Sequence, residues 1–485
     1  MKTNTYFFAL FVLAFFISCQ SGHEDDINLG DWNKGEMPDM YNEKYKDYDE
    51  NPFLKVSEFP KSTFSIDADG ASYANMRRFV YLGQKPPKAS VRTEEYVNYF
   101  TYNYPEPESN ENVALSSDIV TCPWNEEHHI LRLGMKGKTI PENQLPSSNY
   151  VFLIDVSGSM NSPDKLGILK TGFKQLVDEL NPEDRIAIVV YAGQVGVLLP
   201  STSASEKDKI KNAIDKLGAG GSTAGAAGIT TAYEIAQENF IQDGNNRIIL
   251  GTDGDFNVGI SSTDDLVELI EEKRKSGIYL TVLGVGGGNL NDHMMEQIAN
   301  KGNGNYEYID NASQIQKVFV YEKSKFHTVA KDSKIQITFN PDRVDSYRLI
   351  GYENRKLKDE EFEDDEKDAG EIGASQTITA LYEVVLKSTD AAGEYADFDF
   401  RYKFPDSDNS RILNLSIQNK PVSITSGSPE TRFAVAVAGF GLLMRESEYK
   451  GSLDLKKVKE LAGSSLSFDP NGYRKEFVEL IGKVN

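Results

Sequence analysis

The chain has 485 residues, enough for more than one hydrophobic core and therefore for more than one domain. Its 52 basic and 74 acidic residues give a net charge of −22, which argues against nucleic acid or an anionic membrane surface as the main partner, because either would favour a basic face. The same acidic balance is common in exported proteins, for which it supports solubility.

The N-terminus has the pattern of an export signal. Lys2 is followed by the apolar stretch Tyr6–Ile17, which is too short to span a bilayer as a mature helix. Residues 16–19 resemble a bacterial lipobox, in which Cys19 becomes the lipidated first residue of the mature protein. We therefore expect residues 1–19 to be a lipoprotein signal peptide and the protein to be lipid-anchored to the outer membrane of a bacterial cell envelope, on its periplasmic or its surface face. An ordinary signal peptide with a chance cysteine is the alternative.

Residues 20–56 are acidic and contain few aliphatic side chains, which predicts a flexible tether. Residues 57–145 form a flanking region with two predicted helices and two predicted strands: Tyr73–Leu82, Thr93–Tyr102, Val113–Thr121 and His129–Met135. With Cys19 lipidated, Cys122 has no cysteine partner for an intramolecular disulfide and is interpreted as a small buried strand residue.

Residues 146–325 alternate between apolar runs and amphipathic stretches. The apolar runs are rich in β-branched residues and nearly continuous, as buried parallel strands are: Val151–Ile154, Ile186–Tyr191, Ile248–Leu250 and Tyr279–Val285. The intervening stretches have helical spacing: Lys165–Leu180, Ser205–Leu217, Ala224–Phe240, Thr263–Ser276 and Asp292–Asn300. This alternation predicts an α/β domain with a doubly wound, mainly parallel sheet.

Residues 326–425 return to strands, predicted at Lys334–Phe339, Tyr347–Tyr352, Thr377–Leu386 and Asp397–Lys403. Together with the strands of the flanking region they predict a β-sandwich that the α/β domain interrupts. Residues 426–485 form a C-terminal helical region, with helices predicted at Ser428–Arg445, Leu453–Ala462 and Tyr473–Lys483. The predicted fold class is thus an α/β sheet inserted in a β-sandwich, with helical flanks at both ends.

Oxygen-bearing side chains follow two of the predicted parallel strands. Asp155, Ser157 and Ser159 come directly after the first strand, and Asp253 follows the strand at residues 247–252. Thr223 stands at the start of a predicted helix. Because ligand sites of such sheets lie at the carboxyl ends of the strands, we expect these residues to converge. Hydroxyls and carboxylates suit a hard divalent cation such as Mg²⁺, with Ser157, Ser159 and Thr223 supplying neutral oxygens.

The order Asp-x-Ser-x-Ser, Thr and Asp resembles the metal-ion-dependent adhesion site of von Willebrand factor type A domains. Residues 64–79, 86–100 and 371–383 are similar to the flanking regions of a bacterial subfamily of these proteins, and the resemblance covers about residues 57–485. It implies a site for Mg²⁺ (or Mn²⁺ or Ca²⁺) with one position open to an Asp or Glu carboxylate of a protein partner. Proteins of this subfamily are mostly exported and often lipid-anchored.

Two other kinds of site are disfavoured. Gly286, Gly287 and Gly288 follow a strand, but no Lys-Ser/Thr comes after them, so we interpret them as a rim loop and expect no nucleotide. Ser157 and Ser159 have no basic residue beside them in the motif that would make a nucleophile, so we assign no catalytic residue and expect no enzyme.

Three functions follow in order of preference. The first is a lipid-anchored extracytoplasmic binding protein that captures a partner carboxylate through its metal. The second is an envelope scaffold or assembly factor whose type A domain docks to a membrane complex and whose metal is structural. The third, a hydrolase, requires a base or nucleophile constellation that the sequence does not show.

Overall fold

The structure is a computed structural model that describes residues 42–66, 69–220, 225–254, 263–388 and 393–484. The described residues of the first part of the chain form four strands and two α-helices. These elements are β1 (Leu54–Lys55), β2 (Lys61–Ser65), α1 (Ala71–Tyr81), α2 (Thr93–Asn98), β3 (Val113–Thr121) and β4 (His129–Gly137).

The central part of the chain forms the predicted α/β domain. Its elements are β5 (Ser148–Asp155), α3 (Ile168–Glu179), β6 (Arg185–Ala192), β7 (Gln194–Ser203), α4 (Lys207–Asp215), α5 (Gly225–Glu238), β8 (Asn245–Thr252), α6 (Thr263–Lys273), β9 (Tyr279–Val285), α7 (Asp292–Lys301), β10 (Tyr306–Ile309) and α8 (Ala312–Gln316). The sheet order is β10-β9-β8-β5-β6-β7, and only the edge strand β7 is antiparallel to its neighbour. Every residue of β5 and β8 is buried, as central strands covered on both faces require.

The last part of the chain returns to strands and ends in helices. Its elements are β11 (Thr328–Phe339), β12 (Val344–Ile350), β13 (Gly370–Gly373), β14 (Thr377–Leu386), β15 (Ala396–Lys403), β16 (Ser410–Ile417), α9 (Pro429–Met444), α10 (Leu455–Gly463) and α11 (Tyr473–Ile481).

Two antiparallel sheets form the β-sandwich around the inserted domain. One has the order β1-β12-β14-β4-β3; the other has the order β13-β11-β15-β16, with β2 also paired to β11. Alternate residues of the strands face the shared core, for example Ile335, Ile337 and Phe339 of β11 and Leu131 and Leu133 of β4. This period of two is the pleat of a half-buried strand, and it confirms the predicted α/β sheet inserted in a sandwich.

A fully buried arginine joins the flanking helices to the inserted domain. The guanidinium of Arg77, on α1, donates to both carboxylate oxygens of Asp310 at 2.6 Å. It also donates to the Tyr99 hydroxyl at 2.9 Å, to Gln314 Oε1 at 3.1 Å and to Glu476 Oε1 at 3.2 Å. Asp310 follows β10 and Glu476 lies on α11, so one side chain links three distant parts of the chain.

A second buried arginine makes a similar connection. Arg92, which precedes α2, is paired with Glu95 on α2 and donates from Nη1 to Asp292 Oδ2 of α7 at 2.5 Å. The side chains of Arg92 and Asp292 are 5% and 2% exposed. Because buried charges are stable only when they are paired and hydrogen-bonded, these contacts fix the flanking helices against the inserted domain.

The aromatic side chains of the flanks form a shared helical core. Phe433 and Phe440 of α9 contact the ring of Phe477 of α11 with centroid distances of 5.8 and 5.3 Å, and Phe433 lies 4.9 Å from Phe100. Ser428 caps α9 by accepting a hydrogen bond from the Thr431 amide. The apolar α9 is therefore a core helix, and the described residues contain no helix with the length and apolarity needed to cross a membrane.

The prediction of a flexible tether up to residue 56 is wrong for its last part. Glu43 accepts from Arg78 at 2.9 Å and from the Gly288 amide at 2.8 Å, which ties it to α1 and to the loop after β9. Asn51 donates to the carbonyls of Leu349 and Gly351 at 3.0 and 2.7 Å. Polar composition suggested disorder, yet these polar side chains have partners inside the fold. We call residues 43–48 the N-terminal strap.

Two strands of the inserted sheet lacked a clear sequence signal. β7 contains Gly196 and Pro200, which weaken a strand pattern, and its position at the sheet edge tolerates both. β10 has only four residues, so its alternation is too short to detect. The helix expected from Lys165 begins as a π-helical turn at Pro163–Gly167 and becomes α-helical at Ile168.

We predict that Gly172→Ala destabilises the protein even though Ala is the better helix former. A methyl group added at Gly172, on α3, would overlap the side chain of Ile315, because the added carbon would lie 2.7 Å from Ile315 Cβ. Overpacking of this kind costs about 1–3 kcal/mol, against about 1 kcal/mol gained in helix propensity. The free energy of unfolding, measured in urea, should therefore fall.

Gly463→Ala is the matched control, because Gly463 ends α10, is exposed and has nothing within 4 Å of an added methyl group. We expect this variant to be as stable as the parent or slightly more stable. Equal effects at the two positions would contradict the packing argument.

We also predict that the Cys122 thiol is unreactive in the folded protein. The residue is 3% exposed, and burial raises the pKa of its thiol to about 12. Since the thiolate is the nucleophile, iodoacetamide at pH 8 should not label the peptide that contains Cys122 until urea unfolds the chain. Mass spectrometry measures the labelling. An equal rate of labelling of that peptide with and without urea would show that the thiol is accessible.

Candidate functional site

The two predicted aspartates lie at the carboxyl ends of neighbouring strands. Asp155 is the last residue of β5, and Asp253 directly follows β8, which pairs with β5 in parallel. Both residues are fully buried. The doubly wound topology thus brings together two carboxylates that are far apart in sequence, at the edge of the sheet where such folds bind ligands.

The Asp155 carboxylate organises the loop that follows it. Its Oδ1 accepts a hydrogen bond from the Ser157 amide at 2.8 Å, and its Oδ2 accepts one from the Thr252 hydroxyl at 3.2 Å. The Gly254 amide in turn donates to Thr252 Oγ1 at 3.1 Å. Asp155 therefore fixes its own loop and the end of β8 in one arrangement, with Asp253 between Thr252 and Gly254.

The hydroxyls of Ser157 and Ser159 lie side by side, with 3.0 Å between their Oγ atoms. Ser157 is buried, whereas Ser159, in a short 3₁₀ turn, is exposed to solvent. Two adjacent ligands of an octahedral Mg²⁺ ion with bonds of about 2.1 Å are about 3.0 Å apart. The spacing of the hydroxyls therefore fits one edge of an octahedral magnesium site that opens to solvent.

Asp253 has a cationic partner in the structure. The Lys165 ammonium donates to Asp253 Oδ2 at 2.9 Å and to Asn289 Oδ1 at 3.1 Å. Burial alone would raise the pKa of Asp253, but the charge and hydrogen bond of Lys165 outweigh it and hold this pKa below its usual value. The Asp253 carboxylate is thus ionised at neutral pH and already paired.

Among the described residues, no such cation is paired with Asp155. Burial raises the pKa of its carboxyl to about 6; hydrogen bonds from Ser157 and Thr252 oppose this rise, and the negative charge of Asp253 adds to it. A positive charge close to Asp155 would favour its ionised form. The donor set, which consists of hydroxyls beside two buried carboxylates, accordingly suits a divalent cation.

The two remaining predicted site residues, Thr223 and Cys19, lie outside the described part of the chain. The backbone that leads to Thr223 does reach the site, because the Gly220 amide donates to the Val156 carbonyl at 2.7 Å. Within the described residues, no group of three or more His, Cys, Asp or Glu side chains is arranged to hold a metal. The candidate site differs from such clusters because hydroxyls supply part of its ligands.

Sequence reasoning missed three side chains of the site: Thr252, Lys165 and Asn289. A lysine at the start of an amphipathic stretch normally lies in solvent, so Lys165 gave no signal by itself. The glycine run at residues 286–288 was the available signal. A side chain at Gly286, where φ is +68°, would overlap the methylene groups of Lys165.

The other two glycines of the run contact the N-terminal flank. A side chain at Gly287 would overlap Arg78, and the Gly288 amide donates to Glu43. The run is therefore a rim loop in close contact with Lys165 of the site on one side and with α1 and the N-terminal strap on the other. Close contacts thus favour glycine at 286 and 287, and a φ of +91° favours it at 288.

Three families match successive parts of the chain. Residues 39–132 match the family described as von Willebrand factor, residues 149–320 match the von Willebrand factor type A domain, and residues 324–485 match the family described as uncharacterized protein YfbK, C-terminal. The middle match coincides with the inserted α/β domain that carries Asp155 and Asp253. The other two cover the flanks.

Curated relatives match either most of the chain or about a quarter of it. The uncharacterized protein YfbK of Escherichia coli (strain K12) is 41% identical over 465 residues, which cover 90% of this chain and 80% of that protein. A UPF0353 protein of Mycobacterium sp. (strain KMS) is 34% identical over 139 residues, 26% of this chain and 40% of that protein.

Solved structures are also similar to parts of this chain. A von Willebrand factor type A protein from Catenulispora acidiphila is 15% identical, with a TM-score of 0.45, and the match covers 77% of this chain and 90% of that one. The conserved hypothetical protein BatB from Bacteroides thetaiotaomicron is 26% identical, with a TM-score of 0.32, over 37% of this chain and 98% of that one. By its identity to YfbK along nearly its whole length, the chain belongs to the YfbK-like family of proteins with a von Willebrand factor type A domain.

Proposed function

We propose that this protein is a lipid-anchored binding protein of the bacterial cell envelope that captures a carboxylate of a protein partner through a divalent cation. The von Willebrand factor type A domain points to a protein-interaction or adhesion role. The observation that carries the proposal is the position of the Ser157 and Ser159 hydroxyls, whose Oγ atoms lie 3.0 Å apart. Ser159 is exposed to solvent, and two buried carboxylates lie at the same edge of the sheet. This arrangement has the ligand types and the edge length that Mg²⁺ requires.

Each side chain has a distinct part in the proposed site. Ser157, Ser159 and Thr223 supply neutral oxygens to the cation, and Asp155 and Asp253 supply negative charge, directly or through water. A bound Mg²⁺ supplies a Lewis-acidic position that a carboxylate oxygen of the partner can occupy. Mn²⁺ and Ca²⁺ accept similar oxygen ligands, and the choice among the three ions depends on the size and rigidity of the site.

The anchor and location are part of the same proposal. Cys19 would carry the lipid and hold the protein at the outer membrane, on the periplasmic or the surface face. Incorporation of radiolabelled palmitate that is lost in Cys19→Ala would support the anchor. A parent protein that carries no palmitate label and is released from the membrane would contradict the lipid anchor. Protease treatment of intact cells then distinguishes the two faces.

We predict that Ser157→Ala weakens Mg²⁺ binding by about tenfold or more, equivalent to about 1.4 kcal/mol, because it removes a direct oxygen ligand. Isothermal titration calorimetry with Mg²⁺ measures the effect on the soluble chain. Ser162→Ala is the matched control, since Ser162 lies in the same loop but donates to Asp164. Equal affinities for Mg²⁺ in the two variants would contradict the assignment of Ser157 as a ligand.

We further predict that a protein partner binds only to the metal-loaded protein. A pull-down of envelope proteins with the chain from residue 20 should recover the partner in Mg²⁺ and lose it in EDTA, and Thr223→Ala should lose it in both. Thr231→Ala, on α5, makes the same chemical change outside the ligand set and should retain the partner. Recovery of one partner under all of these conditions would exclude metal-bridged capture.

That last result would favour the alternative function. In an envelope scaffold or assembly factor the type A domain would dock to a membrane complex, and partner contacts would lie on the sandwich or the helical flanks, with a structural metal. A hydrolase remains the third candidate. Turnover in a broad substrate screen would move the function to that class.

A further inference from the structure

Lys165 is a buried cation at the proposed metal site. The residue is 8% exposed, and its ammonium donates to Asp253 Oδ2 at 2.9 Å and to Asn289 Oδ1 at 3.1 Å. Removing an ammonium group from water is costly unless it is paired and hydrogen-bonded. The fold meets this requirement with one carboxylate and one amide, so Lys165 occupies a defined position rather than a chance rotamer.

Two features of the backbone shape this position. Lys165 lies in the π-helical turn Pro163–Gly167, and such turns are frequent at functional sites. The methylene groups of Lys165 lie against Gly286, where a side chain would overlap them and where φ is +68°. The turn directs the lysine inward, and the glycine leaves room for it.

The charges of the site explain what this cation does. Asp155 and Asp253 together carry two negative charges when both are ionised, and Lys165 offsets one of them. A divalent cation held by Ser157 and Ser159 would then leave the centre with one net positive charge. Without Lys165 the same centre would be neutral. A like charge this close to a metal weakens metal binding and strengthens the attraction for an anion.

We propose that Lys165 is a built-in cation that keeps Asp253 paired, lowers the affinity of the site for its divalent metal and keeps the metal-loaded centre positive, so that it selects a carboxylate ligand. Lys165 is thus a positioning and specificity-determining residue. The proposal rests on the proposed function, because it deepens the role of the same site.

The first test measures Mg²⁺ alone. In isothermal titration calorimetry, Lys165→Met should bind Mg²⁺ about tenfold more tightly or better than the parent, because one nearby positive charge is removed. Lys165→Arg keeps the charge and should remain near the parent value. Lys174→Met is the matched control: Lys174 lies on the following helix and pairs with Asp215 at the surface, so its removal makes the same charge change away from the site.

A second measurement does not depend on metal affinity. In EDTA, Lys165→Met should have a lower melting temperature than the parent, because the buried Asp253 carboxylate loses its cationic partner. Saturating Mg²⁺ should raise the melting temperature of the variant by more degrees than it raises that of the parent. If Lys165→Met fails to fold, Lys165→Gln replaces it: this change also removes the positive charge but keeps an amide that can donate to Asp253, and it should likewise tighten Mg²⁺ binding.

A third measurement uses acetate as the anionic probe. Acetate titrated into the Mn²⁺-loaded protein should displace metal-bound water and lower the water proton relaxation rate. Lys165→Met should require severalfold more acetate than the parent, while Lys165→Arg should not. Equal acetate dependence in all three would overturn the role of Lys165 in selecting an anion.

The outcomes separate this proposal from the proposed function. Tighter Mg²⁺ binding in Lys165→Met than in a parent that itself binds Mg²⁺ supports it. Mg²⁺ binding in Lys165→Met with none in the parent would support only the effect of Lys165 on metal affinity, and would overturn its selection of a carboxylate together with the proposed function. Equal or weaker Mg²⁺ binding in a folded Lys165→Met, with the parent binding Mg²⁺, overturns the role of Lys165 and leaves the proposed function standing. Absence of Mg²⁺ binding in both proteins overturns both.

Discussion

The arrangement of this protein depends on how Arg77 is paired. A fully buried guanidinium has to satisfy its donors inside the fold, since none of them reaches water. Arg77 meets that demand with Asp310 from the end of the inserted sheet, Glu476 from the last helix and Tyr99 from the flank. A bidentate arginine–carboxylate pair tolerates little change in angle. The contact therefore sets the orientation of the flanking helices relative to the domain that carries the candidate site.

Much of the fold could be predicted from periodicity, and the failures have physical causes. The buried strands β5 and β8 are continuous apolar runs, and β11 and β15 alternate, so both classes of sheet had clear signals. The packing of Glu43 and Asn51 had none. A polar segment held by ion pairs and carbonyl contacts has the same composition as a solvated tether, and only the tertiary partners distinguish the two.

The candidate site divides in the same way. Asp155 and Asp253 follow strands, so the topology of a doubly wound sheet was sufficient to bring them together. Lys165 could not be found from its own surroundings, because its partner Asp253 is far away in sequence and its inward direction comes from a π-helical turn. Gly286 held this information indirectly, since a side chain there would overlap Lys165.

The insertion of one domain into the sandwich has a consequence for the order of folding. His128 and Glu383, hydrogen-bonded at 2.6 Å, are separated by 255 residues in sequence. Contacts of such long range are slow to form, because the intervening chain must lose entropy before the contact is made. The two ends of the insertion are adjacent, however: a Cβ at Gly137 would lie 3.0 Å from Val329 Cγ2. Once the inserted sheet has folded, it holds the two halves of the sandwich close together, and closure of a very long loop becomes the docking of neighbouring strands.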